Sequence, residues 1–392
     1  MDSKTRKTSA TVLLLGITSF LNDLSSEMIM PILPMFITAL GGGGVAVGLT
    51  GGVRDSMVSL LKVYSGFISD RTGRRKPLVT AGYSISSVFK VLLSFSTAWW
   101  HVLVFTGLER IGKGLRTAPR DAMIAESMPQ ARGKGFGIHR ALDSMGATTG
   151  SAIALLLLWY GEMDFHTIIL IAGLISIISL VPLLWVKETR KRPVAITLRI
   201  SLRGLPRRLK VFILVSSLFT LANISYMFFI LRTQDYFSES LAVVIPVVFY
   251  IIFNISYAAS SIPFGVLSDR IGKRRTILLG YLLFSMVTLG FVSAHSTVAL
   301  VILFLLYGVA MAIVDACQRA FVSELSASEL RGTGLGAFHT VMGLMALPSG
   351  LVAGLLWEAS PQFTFLYAAI LAFLSAVLLL LFKGYLVEPE RA

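Results

Sequence analysis

Cysteine is almost absent: Cys317 stands alone among 392 residues. A single thiol excludes an intrachain disulfide and any multi-cysteine metal site, and it reads as a small apolar core residue. Charge is scarce too. Asp, Glu, Lys and Arg make up 14% of the chain, against roughly a quarter in soluble domains. No G-x-x-x-x-G-K-[ST] phosphate loop occurs, so nothing supports an ATP-driven machine. No nucleophile–base motif or clustered metal-ligand motif points to a membrane-embedded enzyme, and no cofactor is implied. The longest polar stretch, 187–209, has the length of a linker and not of a soluble output domain.

What the chain has is apolar surface, at 55% hydrophobic residues. Runs of about 20 such residues, enough to cross a hydrocarbon core of roughly 30 Å, recur throughout. They predict helices near 11–38, 46–69, 77–97, 100–127, 134–160 and 165–186, then near 210–236, 242–268, 276–294, 297–325, 333–357 and 362–386. The polar, basic segment Met1–Ser9 runs into the first span with no small-residue cleavage site, so that span reads as a membrane helix and not a signal peptide. Pro31, Pro34, Pro119, Pro263 and Pro348 fall within helices, where they mark bends.

Basic residues explain the net charge of +14. They gather in Lys4–Lys7, Arg71–Lys76, Arg132–Lys134, 187–209 and Arg270–Arg275, with Arg331 and Lys383 besides, and nearly vanish from the connections between. This alternation is the positive-inside pattern. It is a topology signal and not a nucleic-acid face, and it places both termini and the linker in the cytoplasm. Small residues four apart, Gly146 with Gly150 and Gly350 with Gly354, read as helix-packing faces. The run Gly41–Gly44 reads as a flexible external turn.

A loop motif appears twice. Gly66 to Lys76 is G-F-I-S-D-R-T-G-R-R-K, and Gly265 to Arg275 is G-V-L-S-D-R-I-G-K-R-R, with Asp70 and Asp269 199 residues apart. Arg132 to Gly137 (R-G-K-G-F-G) and Arg331 to Gly336 (R-G-T-G-L-G) share that offset. Two landmarks with one spacing make the chain a duplicated unit, the usual construction of a secondary transporter. The expected fold is an all-α membrane protein of twelve transmembrane helices in two six-helix pseudo-repeats. Residues 1–186 and 210–392 form the bundles, and 187–209 the basic cytoplasmic linker.

The doubled G-x-x-x-D-R-x-G-[RK]-[RK] resembles the signature loop of the major facilitator superfamily, between helices 2 and 3 and again between helices 8 and 9. Length, span count and linker agree with that resemblance. P-I-L-P at Pro31–Pro34 and Arg110 followed by Gly112–Gly114 (G-K-G) are similar to motifs of the drug and metabolite efflux branch, which works by proton antiport. The fifth helix departs from that branch: D-S-M-G-A-T-T-G-S at Asp143–Ser151 keeps the glycine spacing but lacks the proline. The resemblance implies a cytoplasmic gate built on Gly66, Asp70, Arg71, Gly73 and Arg74 and on Gly265, Asp269, Arg270 and Gly272. The expected role is a latch held in one state and released in the other; the alternative is that its arginines only anchor the topology.

Ionisable groups inside a membrane cost several kcal/mol unless paired or wetted, so each marks a candidate site. The first half is rich in them. Asp23 and Glu27 share one face of the first helix. Arg54, Asp55 and Lys62 lie on the second and Lys90 on the third. The fourth carries Glu109, Arg110, Lys113, Arg116, Arg120 and Asp121, and the fifth carries Arg140 and Asp143. Glu109, Lys113, Arg116 and Arg120 fall within a stripe about 60° wide. The resemblance implies that helices 1, 4, 7 and 10 line the transport cavity, which assigns Lys113, Arg116, Tyr226, Arg232, Asp315 and Gln318 to its wall. Arg319 matches Arg120 at the 199 offset and reads as structural. Asp23 and Glu27 are the candidate proton carriers, since a carboxyl in a poorly solvated cavity can load and release protons. Arg110 would sense their charge, and Arg140 and Asp143 complete the candidate set. The alternative is that these charges form fixed ion pairs that stabilise the bundle. His139 and His339, near the cytoplasmic helix ends, read as non-ligating.

The expected function is export of a small molecule in exchange for protons, by a monomer in the plasma or inner membrane. A second transport reading is export of an anionic metabolite or metal chelate, motivated by the cations of the fourth helix. Metal-cation efflux is a third.

Overall fold

In lipid every backbone N–H and C=O must find its partner within the segment, so apolar runs of this length have little choice but helix. The computed structural model describes residues 3–128, 131–188, 204–238, 241–294, 296–326 and 331–382. Most of the basic linker, together with the terminus that holds Lys383, lies outside the described residues.

The first half contains α1 (Ser3–Ile29), α2 (Leu33–Ala39), α3 (Gly44–Thr72), α4 (Lys76–Leu93), α5 (Trp99–Ser127), α6 (Arg132–Trp159) and α7 (Phe165–Ile178), followed by a 3-10 turn at Val181–Leu184. The second contains α8 (Arg207–Ala222), α9 (Tyr226–Gln234), α10 (Leu241–Ile271), α11 (Lys273–Ser293), α12 (Thr297–Leu325), α13 (Arg331–Ala359) and α14 (Pro361–Leu381). With α1–α2 and α8–α9 each counted as one broken span, these are the twelve transmembrane helices. Moved along by 199 residues, α3, α5 and α6 land within two residues of the ends of α10, α12 and α13. The duplication read from two short loops therefore extends through the helices.

Four boundaries differ from the sequence expectation, the first being that α1 begins at Ser3, within the basic segment, and not near residue 11. The first span breaks at residues 30–32, where Pro31 and Pro34 deprive the helix of two donors, and restarts as α2. The sixth span ends early, in the 3-10 turn that holds Pro182. The seventh breaks at Asn223–Ser225 without a proline; the Ser225 hydroxyl accepts from the Met227 amide and restarts the chain as α9.

The chain forms two compact units, Met1–Gly42 with Val53–Leu198 and Gly43–Gly52 with Arg199–Ala392. In the first, α1 packs chiefly on α6 with α7 beside it, and α4 packs on α5 and α7. A Cβ at Gly146 or Gly150 would collide with the backbone of Phe20 or Leu24, so the small-residue face of α6 is what admits α1. In the second, α10 packs on α12 and α9, α11 on α12 and α14, and α8 on α13 and α14. Its core is aromatic: the Phe229 ring lies 4.2 Å from Tyr307, 5.0 Å from Phe291 and 5.3 Å from Phe365, centroid to centroid.

The start of α3 belongs with the second unit. Only Gly41 of the run Gly41–Gly44 takes a positive φ, at 80°. A Cβ on Gly44 would meet the Trp357 side chain at 2.7 Å. The run is thus a turn at its first residue and a tight contact at its last.

Nine helices among the described residues are apolar and long enough to cross a membrane by composition. The spans that fall short, α3, α4 and α5, are those that carry the buried Arg54, Lys90, Glu109, Arg110 and Arg116.

Candidate functional site

The first unit is held together by charge in its interior. Arg116 of α5 is almost fully buried. Its Nη2 donates to Asn22 Oδ1 at 2.6 Å and its Nη1 to Ser86 Oγ at 2.7 Å. The guanidinium lies 4.2 Å from the Tyr83 ring centroid, a cation–π contact. Lys90 of α4, 2% exposed, donates from Nζ to the Asn22 carbonyl at 3.1 Å. Asn22 in turn donates from Nδ2 to Ser176 of α7. One amide side chain and its own carbonyl thereby tie α1 to α4, α5 and α7.

Asp23, the neighbour of Asn22, lies among four cations: Lys90, Lys113, Arg116 and Arg120. On α6, one turn apart, His139 and Asp143 are paired, Nδ1 to Oδ2 at 3.8 Å. Asp143 is close to Asp23, Arg120 and Ser19. Its Oδ1 and the Nε2 of His139 have no hydrogen-bond partner among the described residues. Arg120 reaches Asp121 at 3.0 Å and Ser19 Oγ at 3.0 Å. The stripe read on the fourth helix therefore does face the interior, and Asp23, Lys113, Arg116 and Asp143 stand in one cluster.

Higher along α5, Glu109 and Arg110 pair with each other, Oε2 to Nε at 3.1 Å. Arg110 also donates from Nη2 to the Met30 sulfur at 3.1 Å, and Arg54 of α3 donates to the same sulfur. The carboxylate beside Arg110 is thus Glu109, its neighbour in sequence. Glu27 is half-buried and has a partner of its own. Arg140 is exposed on α6.

The second unit distributes its polar groups more thinly. Asp315 accepts from the Tyr257 hydroxyl at 3.0 Å, and Gln318 donates to the Tyr281 hydroxyl at 2.7 Å. Arg232 is buried and bonded to Asp235 at 2.9 Å. Tyr226 lies 5.4 Å from Tyr250, centroid to centroid. Arg319 is exposed, with its Nε on the Asp315 carbonyl. Among the described residues no three His, Cys, Asp or Glu side chains gather to hold a metal.

The two motif loops use one construction with different residues. In the first, Arg75 bridges Asp70, at 3.4 Å, and Glu126 at the end of α5. Glu188 Oε1 accepts from the Arg75 amide at 2.7 Å and the Lys76 amide at 3.3 Å, capping α4 from more than a hundred residues away. In the second, Lys273 bridges Asp269, at 3.4 Å, and Glu324 at the end of α12, at 3.0 Å. Gly73 and Gly272 turn the chain between helices at φ 64° and 93°, which a side chain disfavours. Gly66 and Gly265 lie within α3 and α10; Arg71, Arg74 and Arg270 are exposed.

Asn22, Met30, Tyr83 and Ser86 were not singled out by the sequence reading. The one local signal was polarity: Asn22 and Ser86 interrupt spans that must otherwise satisfy lipid.

The family model described as Major Facilitator Superfamily matches residues 15–256 and 248–392. An uncharacterized MFS-type transporter of Methanocaldococcus jannaschii is 50% identical over 380 residues, covering 96% of this chain and 95% of that one. The Yersinia enterocolitica multidrug resistance protein MdtH is 30% identical over 145 residues, 37% of this chain and 35% of its own. Among solved structures, the nucleoside transporter NupG superimposes with a TM-score of 0.76 at 17% identity, over 97% of this chain and all of its own. With both halves matched and a relative half identical over nearly its whole length, the chain belongs to the Major Facilitator Superfamily and is a multi-pass membrane transporter.

Proposed function

We propose that this transporter exports a small molecule in exchange for protons, by alternating access, as a monomer with both termini in the cytoplasm. The observation that carries the coupling is the acid cluster of the first unit. Asp23 of α1 and Asp143 of α6 lie close together, both near Arg120 and Lys113, with one carboxylate oxygen of Asp143 unpartnered among the described residues. Adding a proton to either acid shifts the charge balance around Arg120 and Lys113, which gives protonation leverage over the arrangement of α1, α5 and α6. Glu27, four residues beyond Asp23 on α1, is the third member of this set. The multidrug resistance protein among the relatives supports efflux as the direction.

The test uses purified protein in proteoliposomes loaded with ethidium, uridine or benzoate in turn, as cationic, neutral and anionic probes. An inward proton gradient is imposed; probe release is followed with radiolabelled probe and proton entry with a pH-sensitive dye. Gradient-driven release of one probe with matching proton entry supports the proposal. Release that ignores the gradient for every transported probe refutes proton antiport.

A further inference from the structure

We propose that Arg54 and Arg110 form a binding subsite for the carboxylate group of a monoanionic organic molecule. Both guanidinium groups are buried, at 5% and 7% exposure, and both donate to one atom, the Met30 sulfur. A thioether is a weak acceptor without charge. Arg110 has Glu109 at 3.1 Å, but among the described residues the Met30 sulfur is the only hydrogen-bond partner of Arg54 and no carboxylate lies within ion-pair distance of it. Two cations therefore share one carboxylate, which leaves an excess of one positive charge.

The depth makes that excess costly. Arg54 is ten residues from the start of α3 and Arg110 eleven from the start of α5, or about 15 Å along each axis. That is near the middle of a hydrocarbon core about 30 Å thick, where an uncompensated charge is least tolerated. The buried charged side chains of this unit repeat the imbalance: Arg54, Lys90, Arg110 and Arg116 against Glu109.

The second unit shows that the fold does not require these charges. At the same 199-residue offset, which holds for α3 on α10 and for α5 on α12, Arg54 corresponds to Phe253 and Arg110 to Val309. There the corresponding helices, α10 and α12, pack through rings, with Phe253 stacked on Tyr307 at 4.6 Å. A bundle that closes with phenylalanine and valine at these positions does not need two arginines for packing.

A carboxylate matches the pair on charge and shape. Two guanidinium forks present parallel N–H donors to a planar two-oxygen acceptor, and one negative charge cancels the excess. Met30, flexible and half-buried, occupies the acceptor position and can swing aside. The subsite deepens the transport proposal by naming the substrate's anionic group, and rests on it only in treating that group as part of the cargo.

The experiment is binding to the full-length protein in detergent, read as the ligand-induced shift of the thermal unfolding midpoint. Benzoate is the probe, benzamide its neutral match and inorganic phosphate the competing oxyanion. The expected result is a saturable shift with benzoate alone, its apparent affinity falling about tenfold or more in Arg54→Gln and in Arg110→Gln, the loss of one charge-assisted hydrogen bond. Met30→Leu keeps both arginines and removes the competing sulfur, so it should bind benzoate more tightly than the parent. Equal shifts with benzoate and benzamide overturn the subsite, as does benzoate binding that survives in folded Arg54→Gln and Arg110→Gln protein. Binding of phosphate without benzoate overturns the carboxylate class. Because this readout needs no gradient, benzoate binding without proton movement in vesicles retains the subsite and removes antiport, and the converse pair of results does the reverse.

Discussion

Arg116 and Asn22, 94 residues apart, meet at 2.6 Å in the interior of the first unit. The contact orders the site, because Asn22 also receives Lys90 on its carbonyl and donates to Ser176. Asn22→Leu preserves volume but strips Arg116 Nη2 of its acceptor. It should cost about 2 kcal/mol, as for hydrogen bonds to charged groups. The unfolding midpoint in detergent, followed by tryptophan fluorescence, should fall accordingly; an unchanged midpoint would mean that Arg116 is held by Ser86 and Tyr83 alone.

The two motif loops should differ in strength. The Glu126 side chain is 19% exposed and that of Glu324 is 53% exposed. Glu324→Gln should therefore cost less than about 1 kcal/mol, the range of surface pairs. Glu126→Gln should cost about 2 kcal/mol, between the surface and buried limits. Raising the salt concentration should narrow the Glu324 effect further and leave most of the Glu126 effect. Thermal unfolding of the two variants at low and high salt checks both statements.

What the sequence made legible is what local rules dictate. Span length follows from the bilayer, and the repeat stands out because its turns at Gly73 and Gly272 need a conformation that glycine adopts freely. The charged stripe of α5 was readable from helical periodicity. The roles of Met30, Tyr83 and Ser86 were not, since each depends on contacts between helices remote in sequence. Arg110 illustrates the limit: the motif of the fourth helix singled it out, but its partners, Glu109 and Met30, come from side-chain geometry. The break before α9 carried only the weak signal of Asn223 and Ser225, with no proline to mark it.

Gly48 and Gly350, both in the second unit, approach backbone to backbone, and a Cβ on either would overlap the other's carbonyl. Gly350→Val should reduce the yield of folded protein, because overpacking at a backbone contact costs about 1–3 kcal/mol or more. Gly332 sits on the same helix with open space around it. Gly332→Ala should leave yield unchanged or raise stability by about 0.5–1 kcal/mol. Size-exclusion profiles of the two variants make the comparison; equal profiles would show that α13 and the start of α3 can move apart without cost.

The most direct test separates proton coupling from substrate movement. A probe found to be transported is exchanged across proteoliposomes, labelled inside against unlabelled outside, without a gradient; in a parallel set its release is driven by an imposed proton gradient. If Asp23 and Asp143 carry the coupling, Asp23→Asn and Asp143→Asn should retain the exchange and lose the gradient-driven release. Gradient-driven release at parental rates in both variants would contradict the account and leave the acids as structural counter-charges.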